Sequence, residues 1–257
     1  MMLKILFYTL LFSLVTGNVP VFAEPEMNPS AETATIVLDG RTVRYAGRIT
    51  DENIEHFLDV VNGKKVSMLV IASSGGDINA GMTMGEWVYD NHVDVVVERM
   101  CMSSCANYVF TAARHKTINV NAIVAWHGSI LQEHGLSDEE LQVAVIAGYN
   151  KLSESEKREI DVKDLIRQSI RQMQEYRMSN TVRQRQFFSK IGVDEYICRV
   201  GNEKYGAKDF FIVSVKDMEQ FGVRNVTAPE NYEKTDLTPF RRTGKSVEFV
   251  AVSLNGK

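Results

Sequence analysis

Three short stretches of this 257-residue chain carry residues whose types and spacing suit covalent chemistry. The first is MCMSSCANYVF, residues 100–110, where Ser103 and Ser104 stand between Cys101 and Cys105. A serine that follows a buried strand and opens a helix is well placed to attack a carbonyl. The positive end of the helix favours the charge that develops, and the next backbone N–H can donate to an oxyanion. Either serine could equally serve as an N-cap. The second stretch is SSGGDINAGM, residues 73–82. A strand ending in Gly-Gly before a helix lets a ligand approach backbone N–H groups, which hold a phosphate or an oxyanion. It lacks the Gly-Lys-Ser/Thr of a P-loop and the spacing of a dinucleotide fingerprint. A tight strand–helix turn explains it as well. The third is AIVAWHGS, residues 122–129, which leaves His127 at a strand end before Gly128, where a base would be reachable. His56, His92, His115 and His134 lie in helical or turn contexts with no partner motif.

The elements that must position these residues follow from patterning. TIVLDGRTVRYAG, residues 35–47, alternates around Asp39-Gly40 and predicts a hairpin. Residues 50–61 carry a Thr50 or Asp51 cap and apolar Ile54, Phe57, Leu58 and Val61 at helical spacing. VSMLVIASS, residues 66–74, is nearly all apolar, as in strands buried on both faces of a parallel sheet. A helix over INAGMTMGEWVYDN, a strand over VDVVVE, a small-residue helix over SSCANYVFTAA and one or two strands over TINVNAIVAWHG follow. This alternation predicts an α/β fold with a mainly parallel sheet.

From residue 137 to 190 the chain turns polar, charged and helical, with Ile160, Leu165, Ile170, Met173 and Tyr176 forming an apolar stripe. Such helices cover a sheet or make an oligomer contact. Their interleaved acidic residues, and a net charge of −4 for the chain, exclude a general nucleic-acid binder. FFIVSVKDMEQFGVRNV, residues 210–226, returns to strand, helix and turn. Residues 229–257 form a polar tail in which SVEFVAVSL could add an edge strand.

The N-terminus reads as a targeting segment. Lys4, an apolar run from Ile5 to Val15 and Val21-Phe22-Ala23 make the three-part pattern of a secretory signal peptide, residues 1–23, cleaved after Ala23. The alternative is an uncleaved anchor, for which the apolar run is short against the roughly 20 residues of a membrane span. Residues 24–34 read as a flexible leader and 35–228 as the folded domain. The expectation is an exported protein, periplasmic or secreted, in a bacterium. In an oxidising compartment Cys101 and Cys105 can pair, leaving Cys198 over. No second cysteine pair or His-x-x-x-His spacing supports a zinc site, so no metal is expected.

Taken in order, the strand ending in Gly-Gly, the helix opening Asp-Ile-Asn-Ala-Gly-Met, the serine-headed helix and the strand ending in histidine form a specific combination. It resembles the Clp protease proteolytic subunit and its relatives, including signal peptide peptidase A, in the Clp/crotonase superfamily. The resemblance covers residues 43–129 and returns near 210–226. It implies a Clp/crotonase-type fold with an added helical region. It also implies a serine peptidase that needs no cofactor, with a peptide or protein substrate and self-assembly. Gly76 takes the place of the oxyanion-hole glycine and His127 that of the base. Counting back from Ala112-Ala113, as in the family, assigns Ser104 as nucleophile and the Cys105 N–H as second oxyanion donor. Cys105 thus contributes its backbone. The third triad member is open: alignment lands near Gly201-Asn202, with Glu203, Asp194 and Asp209 as further candidates beside Asn202. Three alternatives remain: thiol catalysis by Cys101 or Cys105, crotonase-type acyl-thioester chemistry, which export argues against, and a catalytically silent envelope protein that binds peptides or partner proteins.

Overall fold

A computed structural model describes residues 27–132, 137–240 and 247–254. The signal-peptide segment and His134 lie outside the described residues. The chain is α/β, with a mainly parallel sheet and an added helical region. Strands β1 (Thr35–Asp39) and β2 (Thr42–Ala46) form the expected hairpin, with Asp39 opposite Thr42. Every other strand pairing among the described residues is parallel. Helix α1 (Asp51–Val61) is capped by Thr50, whose side chain accepts from the Asn53 N–H. It leads into β3 (Met68–Ser73), buried from Leu69 to Ser73 at the centre of the sheet. Asp77 caps α2 (Ile78–Asp90), and β4 (Asp94–Met102) follows. Next come a π-helical segment, Cys105–Phe110, then β5 (Lys116–Ile118) and β6 (Ile123–Ala125). The sheet runs β1-β2-β3-β4-β5 and ends on β8 (Val226–Thr227), with β6 paired to the far end of β4.

The expected polar helical region consists of α3 (Asp138–Asn150), α4 (Glu154–Glu159) and α5 (Val162–Ile191). Ser137 with Glu140, and Ser153 with Glu156, make capping boxes that start the first two. Little of this region covers the sheet. Helices α3 and α4 bury no residue, and in α5 only Asn180, Gln184, Phe187 and Phe188 are buried. Phe187 meets Tyr108 edge-on at 5.4 Å, so the last turns of α5 anchor against the π-helical segment. The stripe from Ile160 to Tyr176 instead belongs to the part of the region that packs on itself through α3 and α5.

Helix α6 (Val200–Tyr205) precedes β7 (Phe210–Val213), α7 (Val215–Gln220) and β8 (Val226–Thr227). Strand β9 (Phe249–Val252) pairs with β7, so the edge strand anticipated in the tail forms a small second sheet. The bridge between Trp126 and Phe211 joins this sheet to the end of β6. Within residues 24–34, read from composition as a flexible leader, those from Pro29 onward bond to the folded domain. The Pro29 carbonyl accepts from the Ser74 N–H at 2.7 Å and that of Ala31 from the Arg48 N–H at 2.8 Å.

Candidate active site

Strand β4 ends at Met102, and the chain turns sharply at Ser103, whose φ of +55° lies in the left-handed region. A non-glycine residue there is strained and is held only by its surroundings. Here the Ser103 N–H donates to the Ala125 carbonyl at 3.0 Å, and its own carbonyl accepts from the Asn107 N–H at 2.8 Å. Cys101 and Cys105 form a disulfide with their Cα atoms 5.2 Å apart, closing the elbow from strand into helix. Both thiols are thereby withdrawn from nucleophilic chemistry. Cys198 is fully buried, which pushes its thiol well above the usual range and keeps it protonated.

His127 extends from the end of β6, and its Nε2 lies 2.6 Å from the Ser103 Oγ. The sequence count paired His127 with Ser104, and this pairing does not form. Ser104 is buried, 2% exposed, and its Oγ accepts from the Gly76 N–H at 2.8 Å. The one-residue difference has a physical cause. Residues 105–110 wind as a π-helix, which takes in more residues per turn than an α-helix. The elbow therefore lies one residue further from Ala112-Ala113 than the count allows. The same shift makes Ser104, and not Cys105, the residue whose N–H follows the serine bonded to histidine.

The Gly75-Gly76 turn is built for close approach. A Cβ on Gly75 (φ +84°) would lie 2.4 Å from the Met102 carbonyl oxygen. One on Gly76 would lie 2.0 Å from that of Ile49. Glycine at both positions thus lets β2, β3 and the elbow converge. Gly81 and Gly85 serve the same purpose along α2, whose backbone comes against Ser104 and Tyr108.

The imidazole faces the cleft and lies over the Phe210 ring at 4.6 Å. The residue is exposed as a whole, yet desolvation of its ring by the groups packed around it lowers the pKa below the ordinary histidine value, while the charge of Asp209 acts in the opposite sense. The loop that carries His127 is pinned on both sides. The Gly128 N–H donates to the Cys198 carbonyl at 2.7 Å, and the Gly128 carbonyl accepts from Asn107 Nδ2 at 3.0 Å. Ser129 donates to Glu195, which also accepts from Gln184 at 3.1 Å and Arg199 at 3.0 Å. Tyr108 donates to Gln184 at 2.5 Å, so one network joins the histidine loop, the π-helical segment and α5. Glu195 and Gln184 had no motif to mark them; only the fold brings them here.

None of the expected third members bonds to His127. Asn202 donates to the carbonyls of Ala207 and Asp209. Glu203 pairs with Arg199 at 2.5 Å, and Asp194 caps a short 3₁₀ turn through the Tyr196 N–H at 2.9 Å. Asp209 accepts from the Glu248 N–H at 2.8 Å and reaches His127 only through its field. Among the described residues, no group of three or more metal-ligating side chains gathers.

Two clefts flank Ser103 and His127. One, of about 320 Å³, is lined by apolar Met100, Met102, Phe210, Phe240 and Phe249 together with Ser30 and Arg48. The second, of about 370 Å³, runs past Ile78, Asn107, Ser129 and Gln132. Both share Gly76, Ser103 and His127. The aromatic wall escaped the sequence reading because Phe210, Phe240 and Phe249 come from separate segments with no common pattern.

No family model matches the chain, and no curated protein matches it significantly. Among solved structures it is similar to a mutant of ClpP1 from Listeria monocytogenes, at 17% sequence identity. That match covers 76% of this chain and 94% of the other, with a TM-score of 0.41.

Proposed function

We propose that this chain is an exported serine hydrolase that cleaves peptide bonds, with Ser103 as nucleophile and His127 as general base. The observation that carries the reading is the 2.6 Å contact between Ser103 Oγ and His127 Nε2 at a strained strand-to-helix elbow. Strained backbone of this kind gathers at reactive sites. The Ser103 Oγ attacks the carbonyl carbon while His127 Nε2 takes its proton, then passes that proton to the leaving amine. A water molecule, deprotonated by the same imidazole, releases the acyl group. The oxyanion is received by the Ser104 N–H and the Ser104 hydroxyl; the Gly76 N–H, expected from the sequence to point at it directly, is already given to the Ser104 Oγ. Because the Ser104 hydroxyl accepts from the Gly76 N–H, its own proton is left to be donated towards the oxyanion. A polymer substrate is favoured by the two clefts, which give room on both sides of the reacting bond. No cofactor takes part. Self-assembly, implied by the resemblance to Clp-type peptidases, belongs to the same proposal.

The competing reading is a silent peptide-binding protein. It is favoured by the lack, among the described residues, of a carboxylate hydrogen-bonded to His127. Loss of a triad's third member lowers rate by up to about 10⁴ and still leaves catalysis above water. Turnover of fluorogenic peptides by the mature protein, abolished in Ser103→Ala and His127→Ala, separates the two. A well-folded wild type without turnover would favour binding alone.

A further inference from the structure

The cleft with the aromatic wall carries one unexplained feature. Among its described lining residues, Arg48 is the only one with a permanent charge. The backbone around it is held firmly. The Arg48 N–H donates to the Ala31 carbonyl at 2.8 Å, and its carbonyl accepts from the Tyr45 hydroxyl at 2.6 Å and from Asn53 Nδ2 at 2.9 Å. The next residue, Ile49, bonds to Gly75 and to Asp77, so Arg48 is fixed one strand away from the Gly75-Gly76 turn. The guanidinium has no such match. Its Nε is buried without a hydrogen-bond partner among the described residues. Its only ion pair there is a 3.6 Å approach of Nη1 to Glu32, a side chain 78% exposed. A buried donor left without a partner is costly, and a planar guanidinium fork matches a carboxylate with two parallel bonds. Phe210, Phe240 and Phe249 line the same cleft, with Phe210 and Phe249 stacked at 5.3 Å.

Resting on the hydrolase reading, we propose that this cleft selects peptides carrying a carboxylate beside a bulky apolar residue, with Arg48 binding the carboxylate and the aromatic wall the apolar side chain. The shared chemistry is the carboxylate. It can be an acidic side chain or the free C-terminus of the peptide.

The test uses fluorescent hexapeptides with one phenylalanine, in three forms: glutamate beside it with an amidated C-terminus, glutamine with an amidated C-terminus, and glutamine with a free C-terminus. Turnover is measured with wild type, Arg48→Gln and Arg48→Lys. Binding to Ser103→Ala and to Ser103→Ala/Arg48→Gln is measured by anisotropy, so the proposal is tested even if no peptide is cleaved. The expected result is a preference of ten-fold or more for one carboxylate form over the neutral form. Arg48→Gln should bring that ratio to about one, and Arg48→Lys should keep part of it. Equal turnover and binding of all three peptides, or a preference that survives Arg48→Gln, would overturn the proposal. Absence of turnover with a preserved, Arg48-dependent binding preference would reject the hydrolase reading while upholding the carboxylate site.

Discussion

At the scale of residues, a serine hydroxyl bonded to an imidazole reacts only while that imidazole is neutral. Desolvation of the ring holds His127 below its ordinary value of 6.5, and Asp209 partly offsets this. The sign follows directly. Activity requires the deprotonated ring, so the acid limb of kcat/KM should fall below pH 6.5. Asp209→Asn removes an influence that raises the pKa, so it should move this limb to lower pH. A limb above 6.5, or one that moves upward in Asp209→Asn, would contradict the assignment of His127 as base. His127 was legible because it follows a strand and precedes a glycine; Gly76 was legible as a turn of close approach, but its N–H is taken by the Ser104 hydroxyl. The sequence count misplaced the partner serine by one position, because two adjacent serines differ only in which one occupies the elbow. That choice depends on the winding of the following helix.

At the scale of elements, the elbow is a strand, one left-handed residue and a π-helical turn, closed by the Cys101–Cys105 disulfide four residues apart. A link over so short a loop restricts the unfolded chain modestly, about 2 kcal/mol by chain-entropy reasoning. Its larger effect should be on the site, because the bond spans both serines. The double variant Cys101→Ser/Cys105→Ser should therefore lose about 2 kcal/mol in urea unfolding. It should also lose activity beyond what the change in folded fraction explains. Full activity in a folded double variant would show that the backbone bonds of Ser103 suffice. The parallel strands were legible from their apolar runs, since both faces are covered. The π-helix was not, because ANYVFTAA suits an α-helix equally well in composition. The cap of α1 was legible at Thr50, where a short polar side chain satisfies an open N–H, whereas the capping box at Ser137 emerged only from the structure.

At the scale of the whole molecule, the chain combines a mainly parallel sheet, a polar helical region tied to it by Phe187 and Phe188, and a tail strand that completes the cleft. The helical region was legible as helix from its spacing. Its limited contact with the sheet was not, since Met178 and Val182, apolar and in the same helix, stay 68% and 52% exposed. The tail's part in the cleft was also hidden, because Phe240 and Phe249 meet Phe210 only after β9 pairs with β7. Among the described residues, no helix is long and apolar enough to cross a membrane. Export predicts that protein recovered from the periplasm or medium of a bacterial host begins at Glu24. A chain that keeps residues 1–23 and sediments with membranes would contradict cleavage.

The most direct measurement is covalent labelling with a fluorophosphonate probe, with mass spectrometry to locate the adduct. Wild type should be labelled on Ser103, and Ser103→Ala and His127→Ala should not be labelled. Ser104→Ala should still carry the adduct on Ser103, while its kcat falls roughly 10²-fold as an oxyanion donor is lost. An adduct on Ser104, or labelling that survives Ser103→Ala, would contradict the account. It would return the nucleophile to the serine counted from Ala112-Ala113.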